Sequence, residues 1–255
     1  MAYALVTGAS GGIGECFARQ LAKRHHNLAL VARSGEKLKA LAEELSAAHA
    51  IKAETFALDL SEPGAAQKLV EMLKDRGIEI DLLVNNAGFG AQGEFWKVSL
   101  EKQEQMLRLN IHALLELTHL LLPPMVARRS GAVINVSSTA SFQPLPYTSV
   151  YAASKAFVTS FSTGLAEELR PHGVKVITLC PGTTRTKFFE AGEYSKVRLR
   201  GGFQSPEKVA EAGLKQLDRG SGLVLSRNMD KGMLFVERLL PRSWVARVTA
   251  AVFKV

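Results

Sequence analysis

Apolar runs of strand length alternate with segments of helical period along the whole chain. Tyr3 to Val6 reads as a short buried strand, and glycine-rich sequence follows it. Ile13, Phe17 and Leu21 then recur at the spacing of one helix face. Leu28 to Val31 is the next strand, and Leu38, Leu41 and Leu45 mark a second helix. Lys52 to Leu58 reads as a strand. Ser61-Glu-Pro-Gly is expected to open a helix, with Ser61 as cap and Pro63 in the first turn. Asp81 to Val84 is a strand, and Ser99 is expected to cap a long helix toward Leu122, stopped by Pro123-Pro124. Ala132 to Val136 is a strand, Val150 to Leu169 a helix, and Val174 to Leu179 and Gly222 to Leu225 the last strands.

Strand–helix alternation with near-continuous apolar strands predicts a parallel sheet covered on both faces. No linker, repeat or low-complexity stretch interrupts the pattern, so 1–255 is expected to be one domain. The 255 residues, 47% hydrophobic, suffice for a core without disulfides or metal. Cys16 and Cys180 form no disulfide framework and point to a reducing compartment, hence a cytoplasmic location. His and Cys are too scattered for a metal site, and none is expected. No apolar run reaches the roughly 18 residues of a membrane span, and structure is expected to begin at Ala2, leaving no room for a leader. Most of the net charge of +8 lies beyond residue 197. No nucleic-acid-binding signature accompanies it, so it reads as a solvated surface.

The first strand runs into Thr7-Gly-Ala-Ser-Gly-Gly-Ile-Gly14, and a helix follows at once. Glycines let a backbone turn sharply beside a pyrophosphate, and the helix N-terminus offers free N–H groups to it. The chain also carries Asn85-Asn-Ala-Gly88 after the fourth strand, Asn110 within the long helix and Ser137-Ser138 after the fifth strand. Tyr151-Ala-Ala-Ser-Lys155 puts a phenol and an amine on one helix face, and Pro181-Gly182 ends the sixth strand.

In combination these motifs resemble the short-chain dehydrogenase/reductase family, from Thr7 to about Phe189. The resemblance implies an α/β fold: a single doubly wound (Rossmann) domain of about seven parallel strands with helices on both faces. It implies that Gly8, Gly12 and Gly14 shape the pyrophosphate turn, with Ser10, Gly11 and Ile13 beside them. Asp59, followed by Leu60, would bond the adenine, and Asn86, Ala87 and Gly88 would line the adenosine side. Asn110, Ser138, Tyr151 and Lys155 match the catalytic tetrad, with Tyr151 and Lys155 also facing the cofactor. Pro181, Gly182, Thr184 and Thr186 fall in the segment that holds the nicotinamide carboxamide. Ser137 is the rival for the serine role; the family spacing favours Ser138.

Hydride addition to a carbonyl leaves an oxyanion that needs a proton. Tyr151 can supply it while Ser138 holds the oxygen. Working such a phenol near neutrality needs its pKa lowered by about three units. An ammonium at ~4 Å contributes about 4 kcal/mol at an effective dielectric near 20. Lys155 is therefore expected to supply most of the shift, and to pass protons onward through Asn110. NADP, as NADPH, is the expected cofactor: Ala32 stands where NAD-binding relatives carry an acid, and Arg33 and Ser34 can hold a 2′-phosphate. Glu36 is expected at the start of the following helix.

The expected function is NADP(H)-dependent reduction of a hydrophobic ketone or aldehyde, or oxidation of the alcohol. The alternatives are a catalytically silent NADP-binding protein and a membrane-associated reductase of lipid-like carbonyls. Phe89-Gly90, Phe142 to Pro146 and a lid at 188–203 are expected to wall the substrate. The C-terminal sequence lacks the Val-Asp-Gly-Gly segment many relatives use in tetramers. A homodimer through the helices at 99–122 and 150–169 is expected ahead of a homotetramer. Residues 233–255 interleave Leu234, Leu240, Trp244, Val245 and Val248 with Arg238, Arg242 and Arg247 around Pro241. They predict a broken amphipathic helix packed on the domain or a partner subunit, in preference to a membrane-surface role.

Overall fold

A computed structural model describes residues 2–186, 202–227, 232 and 240–253. The strands are β1 (Ala2–Thr7), β2 (Asn27–Ala32), β3 (Ala53–Ala57), β4 (Glu79–Asn85), β5 (Gly131–Val136), β6 (Val174–Cys180) and β7 (Gly222–Leu225). They form one seven-stranded sheet in the order β3-β2-β1-β4-β5-β6-β7, parallel throughout. The helices are α1 (Gly12–Lys23), α2 (Gly35–His49), α3 (Ala65–Asp75), α4 (Leu100–Leu107), α5 (Leu114–Ala127), α6 (Ser149–Leu169), α7 (Pro206–Arg219) and α8 (Arg242–Phe253). This is the single doubly wound α/β domain that the alternation predicts.

Both faces of the sheet are buried. Along β1, Ala4 and Val6 join Phe17, Leu21 and Leu38 on one face, and Tyr3 and Leu5 join Leu69, Leu117 and Leu165 on the other. That is the two-residue period of a strand covered twice. The strand order reverses between β1 and β4, which opens a crevice at their C-terminal ends.

Three local expectations are corrected. Helix α3 starts at Ala65, after Gly64 in a left-handed conformation, and Ser61 does not cap it. The Ser61 N–H and hydroxyl donate instead to Asp59 Oδ1, at 2.9 and 2.6 Å. A carboxylate two residues back is the stronger acceptor and closes a turn. Pro123 and Pro124 do not stop the long helix; both lie inside α5. They sit on its exposed side, where water can satisfy the carbonyls they leave unpaired, while fully buried Met125 anchors the last turn. One described stretch, Leu100–Ala127, is also long and apolar enough to cross a membrane by length and composition: 28 residues, within which an 18-residue window has a mean hydropathy of 1.2. In the fold Leu117, Leu121 and Met125 of this stretch pack on the sheet.

Between α4 and α5 the helix widens into a π-helical turn, Arg108–Ala113. Such turns frequently mark functional sites, and this one carries Asn110 into the interior at 1% exposure. In α8 Val245 is buried and the Thr249 hydroxyl donates to the Pro144 carbonyl at 3.0 Å, so the helix packs on the domain. Trp244 and Val248 point outward, 62% and 67% exposed. Residues 233–239 and 254–255 of the predicted tail, and 188–201 of the predicted lid, lie outside the described residues.

Candidate active site

The ends of β1 and β4 are laced together. Thr7 Oγ1 accepts from the Asn86 and Ala87 N–H groups, both at 2.9 Å, and donates to the Val84 carbonyl at 3.3 Å. Asn86 Nδ2 donates to the Thr7 carbonyl at 2.9 Å. The glycine turn lies against this lacing. Gly8 is left-handed at φ +67, and a Cβ on Gly14 would sit 2.3 Å from the Gly8 carbonyl oxygen. Helix α1 therefore starts directly on the turn, and its first turn has no side-chain cap. Gly11 faces open space, and Gly12 is closely approached by Thr186 from beyond β6. Ser10 and Ile13 are half-buried beside it. Uncapped N–H groups at a helix start of this kind can bind a phosphate or pyrophosphate.

The neighbouring strand ends bring Arg33, Ser34, Asp59 and Leu60 to one edge, because Ala32 pairs with Ala57. Arg33 is 77% exposed, with Nη1 3.8 Å from Asp59 Oδ2. Ser34 precedes α2 without capping it, and Glu36 lies in the first turn of α2, as its place in the sequence predicts. Leu60 is buried.

Asn110, Ser138, Tyr151 and Lys155 converge at the ends of β4 and β5. The Asn110 side chain is committed in both senses. Its Nδ2 donates to the Phe89 carbonyl and Ser154 Oγ, at 3.0 and 3.1 Å, and its Oδ1 accepts from the Phe89 N–H at 3.1 Å. Ser154 in turn donates to the Tyr151 carbonyl at 2.7 Å. Gly88 permits this approach: a Cβ there would lie 2.8 Å from Asn110 Oδ1. An amide so engaged braces α6 against the loop after β4. The Ser138 hydroxyl hydrogen-bonds the Tyr151 phenol. Ser137 points the other way, donating to the Lys155 carbonyl at 2.8 Å and meeting Thr159 Oγ1 at 2.6 Å.

Lys155 is 5% exposed. Its ammonium donates to the Val136 carbonyl at 2.8 Å and lies 6.0 Å from the centre of the Tyr151 ring. Burial pushes the phenol up to about 12, against the Ser138 hydrogen bond. Burial pulls Lys155 down to about 8. The expectation of a net lowering of the Tyr151 pKa is corrected: desolvation dominates and raises it. At neutral pH the phenol keeps its proton. Cys180 itself is fully buried, and burial pushes its thiol up to about 11.

The segment after β6 crosses this site. The Pro181 carbonyl accepts from the Thr139 N–H at 2.9 Å, beside Ser138. Thr184 is buried, with its hydroxyl donating to the Gly182 carbonyl at 2.9 Å, so it shapes the segment from beneath. A small cavity of about 30 Å³ is lined by Ala91, Phe95, Met106, Tyr147 and, at the start of α6, Val150. Tyr147 is left-handed at φ +65, a strained conformation of the kind that clusters at binding sites. Sequence reasoning assigned no part to Thr7, Ser154, Tyr147 or Gln204, whose partners lie on other elements.

Residues 2–194 match the family model described as short chain dehydrogenase. The chain is 36% identical over 208 residues to the NADP-dependent 3-hydroxy acid dehydrogenase YdfG of Salmonella typhi, covering 81% of this chain and 80% of that protein. It is 34% identical over 200 residues to the very-long-chain 3-oxoacyl-CoA reductase-A of Danio rerio, covering 77% of this chain but only 60% of that protein. The fold matches a short-chain dehydrogenase from Sphingobium yanoikuyae in complex with NADPH at TM-score 0.83 and 30% identity, covering 95% and 98% of the two chains.

Proposed function

The chain belongs to the short-chain dehydrogenase family of oxidoreductases, and on that premise we propose that it is an NADPH-dependent reductase of hydrophobic ketones or aldehydes with Tyr151 as the proton donor. The observation that carries this reading is the Tyr151 phenol, protonated and hydrogen-bonded to Ser138, at the crevice that the glycine turn borders. NADPH, when bound, supplies the hydride. The α1 N-terminus and the turn from Gly8 to Gly14 would hold its pyrophosphate. Pro181, Gly182 and Thr186 would face the nicotinamide end, and Asp59, Asn86 and Ala87 the adenosine.

Ser138 would orient the carbonyl oxygen and stabilise the charge that develops there. Tyr151 would donate its proton to that oxygen. Lys155, charged below about pH 8, would favour the phenolate left behind and hold the nicotinamide ribose. Asn110, through Ser154, would keep Tyr151 in place. Arg33 would take the 2′-phosphate: its present partner is a surface pair worth about 0–1 kcal/mol, against about 1.5–3 for a charge-assisted contact. The NADP-dependent and NADPH-bound relatives support the same choice.

The relatives' names support an acyl or hydroxy-acid skeleton, in keeping with the apolar walls around Phe89, Phe95 and Phe142. Exposed Leu115 and Phe157, on α5 and α6, support a homodimer through those helices. The test is NADPH oxidation by the purified protein with a panel of hydrophobic ketones, aldehydes and 3-oxoacyl thioesters. NADPH oxidation matched by alcohol formation supports the reading, and no turnover with NADPH or NADH across the panel contradicts it.

A further inference from the structure

Gln204 stands just before α7 and is 7% exposed. Its backbone pairs with the segment leaving β6. Gln204 N–H donates to the Thr183 carbonyl at 2.9 Å, and its carbonyl accepts from the Arg185 N–H at 3.0 Å. Its side-chain amide donates to Thr184 Oγ1 at 3.1 Å and to Ser226 Oγ, just past β7, at 2.8 Å. The Thr184 hydroxyl spends its proton on the Gly182 carbonyl, so toward Gln204 it must accept, which sets the orientation of the amide. Ser226 Oγ also accepts from the Gly182 N–H at 3.4 Å. Both backbone groups of Gly182 are therefore tied, through two hydroxyls, to one amide. The other end of that amide, Oε1, is buried without a hydrogen-bond partner.

A buried acceptor without a partner is costly, and an apolar side chain of the same shape would avoid the cost. The amide persists because its donors do something an apolar chain cannot. We propose that Gln204 is a positioning residue for the nicotinamide half of the cofactor. It acts through Thr184 and Ser226, fixing the turn from Gly182 to Thr186 against the end of β7. The inference rests on the reading of that turn under Proposed function.

The test compares two ligands by fluorescence titration: NADPH, and 2′-phospho-ADP-ribose, which lacks the nicotinamide. Gln204→Met keeps length and volume but removes both donors. It should weaken NADPH about tenfold, the size of one lost hydrogen bond, and leave the fragment within about twofold. Ser226→Ala, a smaller change at the other end of the link, should show the same split. The double variant should be no worse than the worse single, since both break one chain of contacts. Equal weakening of both ligands, or no change in either, overturns the inference while leaving the cofactor reading standing. Failure of the unaltered protein to bind NADPH overturns both.

Discussion

The Lys155 ammonium lies 6.0 Å from the centre of the Tyr151 ring, one helical turn along α6, and donates instead to the Val136 carbonyl at 2.8 Å. The two groups are desolvated together, and each is driven toward its neutral form: the phenol up to about 12, the amine down to about 8. A protonated phenol is the form that reduction requires. The lysine, in contrast, works as a cation only below about pH 8.

The pH dependence follows from that. Reduction, measured as kcat/KM at saturating NADPH, should fall through a single ionisation as pH rises past about 8. The linkage to stability has the opposite sign. The folded pKa of Lys155 lies below its ordinary 10.5, so between the two the unfolded chain binds more protons and the Lys155 contribution to stability rises with pH. Tyr151 opposes this only between 10.0 and about 12. Lys155→Met should flatten the activity profile near pH 8 as well as lower activity. A wild-type profile level from pH 7 to 10 would contradict the assignment.

Cofactor choice should favour NADPH over NADH by about ten- to a hundredfold, from one charge-assisted contact at Arg33. Ala32→Asp combined with Arg33→Ser should reverse the order. Tighter binding of NADH than NADPH to the unaltered protein, by fluorescence titration, would sink the prediction.

Two glycines in the same turn should behave differently. Gly14→Ala forces a Cβ to 2.3 Å from the Gly8 carbonyl oxygen, whereas Gly11→Ala meets nothing within 4 Å. Gly14→Ala should lower the melting temperature and abolish NADPH binding, and Gly11→Ala should leave the melting temperature within a degree or so. Equal behaviour of the two would mean that the turn is not packed as described.

Removing residues 241–255 should destabilise the domain, because it strips buried Val245 and the Thr249–Pro144 hydrogen bond from the loop leading into Tyr151. Burying one valine is worth about 1.5–3 kcal/mol, a shift of several degrees in melting temperature. An unchanged melt combined with loss of binding to anionic vesicles would favour a membrane-surface role for outward-facing Trp244 and Val248.

The strands and helix faces were legible because burial on two faces imprints itself on every second or fourth residue, as in Ala4 and Val6 or Phe17 and Leu21. Where one polar group chose between partners, local sequence misled. Ser61 turned to Asp59 instead of capping α3, and Pro123-Pro124 were tolerated because they face water. The same limit applies to the site. The spacing of Tyr151 and Lys155 puts them on one face of α6, yet it carries no information about the Val136 carbonyl, which arrives on β5 and draws the ammonium away. Thr7, Ser154 and Gln204 look ordinary in sequence, since Thr7 meets Asn86 across 79 residues and Gln204 meets Ser226 across 22.

The most direct measurement pairs turnover with binding in Tyr151→Phe, which removes the transferable proton and keeps the ring. With a carbonyl that the unaltered protein reduces, kcat should fall by at least the ~100-fold typical of general acid catalysis, while the NADPH dissociation constant stays within about twofold. A variant that reduces the same carbonyl within a few-fold of the unaltered rate would contradict Tyr151 as the proton donor.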